Sequence, residues 1–195
     1  MTVPEVMATI EKDIIFYDDS GGGVTFSGGE PLLQPEFLFG LLAACRQRDI
    51  HTLIDTSGHA RPDLFQKALR LTDGVLFDLK CLDATEHEKY TGVNNELILT
   101  NFKTAAASGK VQVRLPVIPG ITDHLRNIEG LVEMVAAAGS VKRFDLLPYH
   151  GTAAAKYRRL GLEYRMDGTA EPTCEQMREL QERIEGYGFA VHVGG

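Results

Sequence analysis

Five short runs of this 195-residue chain place charged or side-chain-free positions where an apolar segment ends. Ser27-Gly28-Gly29-Glu30-Pro31 follows Val24-Thr25-Phe26, and Asp55-Thr56-Ser57-Gly58 follows residues 51–54. Asp78-Leu79-Lys80 follows residues 75–77, Arg114 sits within the alternating run Val111–Val117, and Pro148-Tyr149-His150 closes residues 144–147. A Gly-Gly pair lets the main chain approach a ligand more closely than any Cβ permits. Glu30 adds an acceptor, and Pro31 fixes the exit of the turn. Carboxylates suit an ammonium, Lys and Arg suit a carboxylate, and His suits a hydroxyl or ring nitrogen. An amino-acid-like zwitterion is the economical ligand for such a set.

Each residue also has a structural use of its own. Gly28 and Gly29 would serve any strand-to-helix connection, and Asp55 would cap a turn. Lys80 would be a solvated loop cation, and His150 an ordinary loop histidine. Arg114 would pair with a helix carboxylate if its face of the strand pointed outward, which alternation alone does not decide. What favours a site is the return of such groups at one end of successive strands.

The elements that would position them alternate along the chain. Thr2 and Glu5 form a capping box with Pro4 in the first turn, ahead of the stripe Val6, Met7, Ile10 and Ile14. Strands are expected at residues 24–26, 51–54, 75–77, Val111–Val117 and 144–147, with a further one at 189–193. Helices are expected at 36–48, Pro62–Leu71, 84–90, 97–108, 127–138 and 174–187. Such alternation implies βα units and a parallel sheet, whose ligands sit at the carboxyl ends of the strands. Five such strands cannot close an eight-stranded barrel. An open, partial barrel is the expected fold, with a flavodoxin-like doubly wound sheet as its competitor.

Composition narrows the class. Apolar residues make up 44% of the chain, as in a globular domain. No apolar stretch approaches the roughly 18–20 residues of a membrane span. Twenty Lys and Arg against 27 Asp and Glu leave a net charge of −7, which argues against a nucleic-acid surface. Cys45, Cys81 and Cys174 are too few and too scattered for a disulfide framework or a metal knuckle. Scattered thiols suit a reducing cytoplasm. Neither G-x-S-x-G nor a P-loop is present. His51, Ser57 and His59 are close in sequence, with two loop histidines favoured over a triad.

The motifs together resemble the radical S-adenosylmethionine enzymes. The carriers are Ser27-Gly28-Gly29-Glu30-Pro31-Leu32-Leu33, Asp55-Thr56-Ser57-Gly58, Asp78-Leu79-Lys80, Arg114 before Pro119-Gly120, and Leu146-Leu147-Pro148-Tyr149-His150. Within that superfamily the chain is most similar to the activating enzymes of glycyl radical enzymes, with pyruvate formate-lyase activating enzyme as the type. The resemblance runs over essentially all 195 residues.

It implies an α/β fold, a partial TIM-like (β/α)6 barrel. It implies that Gly28, Gly29 and Glu30 hold the amino group of S-adenosylmethionine. Asp55 would lie nearby, Asp78, Leu79 and Lys80 would line the methionine and ribose portion, and Arg114 and His150 would bond the cofactor. Asp55, Thr56, the Leu76 main chain and Asp78 would form an alkali-cation site. Residues 151–172 would form a loop at the mouth of the barrel, where a partner's glycine-bearing segment enters.

The implied chemistry is one-electron: a reduced 4Fe-4S cluster cleaves the sulfonium, and a 5′-deoxyadenosyl radical takes a hydrogen atom from a glycine of a glycyl radical enzyme. A flavodoxin or ferredoxin would supply the electron. The family binds its cluster through C-x-x-x-C-x-x-C, which this chain lacks. The expectation is therefore one domain over residues 1–195, a radical SAM core without its first strand and cluster loop, inactive alone. The alternative is a short homologue that only binds cofactor or partner. An unpaired edge beside residues 24–26 is expected to promote association.

Overall fold

Apolar runs too short for helices alternate with stripes of helical period, and the backbone follows that alternation. The computed structural model describes residues 1–152, 159, 161, 166 and 168–194. Among them, six strands form one parallel sheet: β1 (Gly23–Phe26), β2 (His51–Thr56), β3 (Gly74–Asp78), β4 (Val111–Val117), β5 (Arg143–Pro148) and β6 (Ala190–Val193).

Each strand pairs in parallel with the next in chain order, from β1 to β6. That order separates the two expected architectures. A doubly wound sheet reverses direction at a switch point. This sheet never reverses, as in a section of a barrel. The partial barrel holds and the flavodoxin-like arrangement does not. The sixth strand is fully part of the sheet, with Arg143 opposite Ala190 and Asp145 opposite His192.

The helices bounded within the described residues are α1 (Val3–Ile10), α2 (Ile14–Ser20), α3 (Pro35–Arg46), α4 (Pro62–Leu71), α5 (Ala84–Thr91), α6 (Glu96–Ser108), α7 (Leu125–Ala138) and α8 (Cys174–Glu185). Thr2 N donates to Glu5 Oε2 at 2.7 Å, so the capping box forms as its spacing predicts. The opening stripe breaks at the polar run Glu11-Lys12-Asp13, which tightens into a 3-10 turn between α1 and α2. Proline at the first turn starts α3 and α4, where its missing N–H costs nothing.

Strand alternation sorts the two faces of the sheet. Ile54, Val75, Phe77, Val113, Leu115, Val117, Phe144 and Leu146 join the helices in the main core. Leu53, Asp55, Leu76, Asp78, Gln112 and Arg114 are half-buried on the opposite face. The helix-covered face supplies the stability, and the opposite face carries the polar chemistry. Phe77 lies at the centre of the core, fully buried, with ring centroids 6.0 Å from Phe65 and 5.6 Å from Phe102, both edge-on.

The turn after β2 rests on that ring. Gly58 has φ 75°, and a Cβ there would lie 2.2 Å from Phe77. Only glycine meets both demands. Among the described residues β1 pairs with β2 alone. α2, which leads into β1, leaves Ile15 and Phe16 70% and 64% exposed. Among the described residues no helix is long and apolar enough to cross a membrane.

Candidate functional site

Two groups of polar side chains gather at the carboxyl ends of β1 to β4. The first centres on Glu30, whose backbone is extended as it enters the 3-10 turn Pro31–Leu33. Its carboxylate accepts from Thr56 Oγ1 at 2.6 Å, Ser57 N at 3.0 Å, Ser57 Oγ at 2.8 Å and Leu32 N at 3.3 Å. Thr56 Oγ1 in turn accepts from Gly58 N at 2.9 Å. Glu30 therefore braces the tip of β1 to the tip of β2 through uncharged donors.

The second group is ionic and spans β2, β3 and β4. Arg114 stands opposite Asp78 in the register. Its Nε lies 2.9 Å and its Nη2 2.8 Å from Asp78 Oδ1. Nη2 also bonds Asp55 Oδ1. Ser27 Oγ donates to Asp55 Oδ2 at 2.9 Å, and Lys80 Nζ lies 3.5 Å from Asp78 Oδ2. Two carboxylates thus face two cations, with side chains between 16% and 30% exposed. The group is neutral and largely withdrawn from water, so its internal attractions are stronger than on an open surface.

Space adjoins both groups. A cavity of about 240 Å³ is lined by Ser27, Gly28, Gly29 and Glu30 together with Phe37 and Leu41. Another of about 270 Å³ lies between Glu30, Ser57, His59 and Lys80. Gly28 has φ 137°, and a Cβ at Gly28 or Gly29 would meet nothing within 4 Å. The main chain is therefore bare toward open space, the condition a closely approaching ligand requires.

Most of the residues singled out in the sequence are brought together: Gly28, Gly29, Glu30, Asp55, Asp78, Lys80 and Arg114 occupy neighbouring strand tips. Three expected positions behave differently. Leu79 is 1% exposed and packs in the main core, so its side chain does not line the polar face; alternation turns it away from Asp78 and Lys80. Thr56 is 2% exposed, and its hydroxyl is committed to Glu30 and Gly58 on the face opposite Asp55. His150 stands beyond β5, 61% exposed, with Nδ1 3.6 Å from Glu171 Oε2, and joins neither group. The expected mouth loop, 151–172, lies mostly outside the described residues. His51 and Ser57 stand at opposite ends of β2, so no triad forms there.

Three asparagines that sequence reading passed over hold the loops between these tips. Asn101 Nδ2 donates to the carbonyls of Gly58 and Ala60, both at 2.8 Å. Asn95 Nδ2 donates to those of Cys81 at 3.0 Å and Leu82 at 2.7 Å. Asn127 Nδ2 donates to those of Lys80 at 2.8 Å and Thr122 at 2.9 Å, and its Oδ1 accepts from Leu82 N at 2.8 Å. The available signal was a polar residue on the apolar face of a helix, as with Asn101 between Ile98, Phe102 and Ala105.

The thiols do not assemble. Cys45 is fully buried 3.8 Å from Met7 Sδ, Cys81 is buried in the loop after β3, and Cys174 is exposed at the start of α8. Burial pushes the Cys45 and Cys81 thiols up in pKa, away from the thiolate a metal requires. Among the described residues no three His, Cys, Asp or Glu side chains gather as a metal site. These residues do not fit an iron–sulfur cluster, whereas the strand-tip groups do fit a charged small molecule.

The family model of the radical SAM superfamily matches residues 1–132. The chain belongs to that superfamily. Among curated radical SAM relatives, it is 40% identical over 196 residues to the choline trimethylamine-lyase activating enzyme of Oleidesulfovibrio alaskensis, covering 98% of this chain and 63% of that protein. It is 41% identical over 189 residues to the (2S)-3-sulfopropanediol sulfolyase activating enzyme of Bilophila wadsworthia, covering 95% and 62%. The crystal structure of a domain of pyruvate-formate lyase-activating enzyme from Bacteroides vulgatus superposes with a TM-score of 0.75 at 34% identity, covering 89% of this chain and 99% of that one. The chain thus spans a little under two thirds of the length of the curated relatives it matches.

Proposed function

We propose that this radical SAM chain is the cofactor-binding barrel of an activating enzyme for a glycyl radical enzyme. The observation that carries the reading is the joint occurrence of the strand-tip groups with relatives whose names are those of activating enzymes. In this reading Gly28, Gly29 and Glu30 border the amino end of S-adenosylmethionine. Asp55, Asp78, Lys80 and Arg114 face its charged groups, and His150 approaches from the end of β5. When bound, that cofactor supplies one-electron cleavage of its sulfonium and removal of a hydrogen atom from the partner's glycine. The chain's own part is to orient the ligand and replace its water shell with fixed charges.

The ligands of the 4Fe-4S cluster come from outside these 195 residues in this proposal, because the three cysteines of the chain are spread over α3, the loop after β3 and α8. Pyruvate formate-lyase is one of several partners compatible with the relatives. A flavodoxin or ferredoxin donor and a cytoplasmic location complete the reading. An alkali cation beside Asp55 and Asp78, with the Leu76 carbonyl, would share both carboxylates with Arg114.

The scattered thiols favour a second reading, in which the chain by itself binds cofactor or partner without redox chemistry. Anaerobic iron and sulfide reconstitution tests the division of labour. The expected outcome is no cubane absorbance or EPR signal, together with saturable S-adenosylmethionine binding weaker than that of a cluster-bearing relative. A stable cubane on this chain would contradict the assignment of ligands, and absence of binding would contradict the site.

A further inference from the structure

The segment after β3 carries Lys80 but has no secondary structure of its own. Cys81 is 5% exposed, so the peptide groups here are withheld from water and need partners within the protein. Two asparagines supply them. Asn127, on α7, takes the Lys80 carbonyl and the Leu82 N–H; Asn95, just before α6, takes the Cys81 and Leu82 carbonyls. Asn127 also takes the Thr122 carbonyl, in the loop after β4. One planar amide therefore ties the strand tip that bears Lys80 to the neighbouring tip, with both donors and its oxygen engaged.

We infer that Asn127 is a positioning residue for Lys80: it fixes the main chain from which the ammonium reaches Asp78 and the ligand space. Asn95 secures the next peptides of the same segment. The stem of Lys80 is long and rotatable, so the direction of its ammonium depends on where its Cα is held. Removing Asn127 frees the carbonyl of the very residue whose side chain is needed, and uncouples two loops that the amide now keeps in register. Asn101 is a natural comparison. It is fully buried and holds two carbonyls in the loop after β2, but none in the Lys80 segment.

This inference rests on the reading that Lys80 faces the ligand, and a double-mutant cycle separates the two. S-adenosylmethionine affinity is measured by calorimetry for the full chain, for Asn127→Ala, Lys80→Ala and their combination, and for Asn101→Ala with and without Lys80→Ala. Asn127→Ala is expected to weaken binding by about tenfold, and to add almost nothing once Lys80 is alanine, as coupled neighbours do. Asn101→Ala is expected to act independently of Lys80. Binding weakened by Lys80→Ala but indifferent to Asn127→Ala, or additive effects of the pair, would overturn the positioning role alone. Equal binding by the wild type and Lys80→Ala would remove Lys80 from the site, and the inference with it.

Hydrogen exchange without ligand gives an arm that does not depend on binding. Asn127→Asp keeps the acceptor for Leu82 N–H but loses both donors, so it is expected to speed exchange across residues 80–83 more than in the loop after β2. Unchanged exchange there would also overturn the inference, even if the alanine variant proved too unstable to study.

Discussion

The two polar groups at the strand tips are built on opposite principles. At β1 and β2, one carboxylate, Glu30, is satisfied by hydroxyl and amide donors. At β2, β3 and β4, two carboxylates are matched by a guanidinium and an ammonium. Uncharged donors in a tight turn hold one geometry and have few alternative partners. Paired charges in a half-buried group can exchange partners with an incoming zwitterion while the total charge stays balanced. The first arrangement suits a brace and the second a binding surface. They are joined at the end of β2, where Asp55 serves one and Thr56 the other on alternate faces of the strand, with Ser57 just beyond it also on Glu30.

Because Phe77 supports both regions, its removal should erase the contrast. Phe77→Ala leaves a cavity under Gly58 and next to Asp78, and should cost about 3–5 kcal/mol of stability by chemical denaturation. Arg114→Ala comes next. It leaves Asp55 and Asp78 facing each other, and the loss should fall somewhat below the roughly 3–5 kcal/mol of a fully buried pair, since these side chains keep some solvent contact. Its effect should shrink in about 1 M salt, where screening reaches to about 3 Å.

Glu30→Gln should cost less, about 1–3 kcal/mol, by placing an amide donor against Ser57 N–H, and should be indifferent to salt. An equal salt dependence in the two variants would abolish the distinction between brace and binding surface. Ser27→Ala is the mildest, at about 1 kcal/mol or less in stability, and removes only the hydroxyl on Asp55.

Much of this was legible in the sequence because the polar tips interrupt apolar runs at regular intervals. Val111–Val117 and Pro62–Leu71 match their expected bounds. Other elements had an end moved by one or two residues, as for α7, which begins at Leu125 on a His124 cap rather than at Asn127. The parallel sheet follows from the alternation, but the strand order that selects a barrel section over a doubly wound sheet depends on long-range pairing no local pattern encodes. The same holds at the site. Asp55, Asp78 and Arg114 were recognisable by type and place, whereas their mutual pairing required the register of β2, β3 and β4.

Motif membership misled where it ignored alternation: Leu79 lies between two site residues and points into the core. Asn95, Asn101 and Asn127 were missed because their work is done on distant main-chain groups; only Asn101 left a mark, as a polar residue in an apolar stripe. Among the described residues the outer side of β1 has no strand partner, and Ile15 and Phe16 are exposed; sedimentation analysis tests the expected association.

The central claim, that the tips of β1 to β4 enclose one ligand space, is most directly tested by a crystal structure of this chain soaked with S-adenosylmethionine. The amino-acid end of the ligand should lie against Gly28, Gly29 and the Asp55, Asp78, Lys80 and Arg114 group, with Glu30 still bonded to Ser57. Ligand bound at any other end of the sheet, with that ionic group undisturbed, would contradict it.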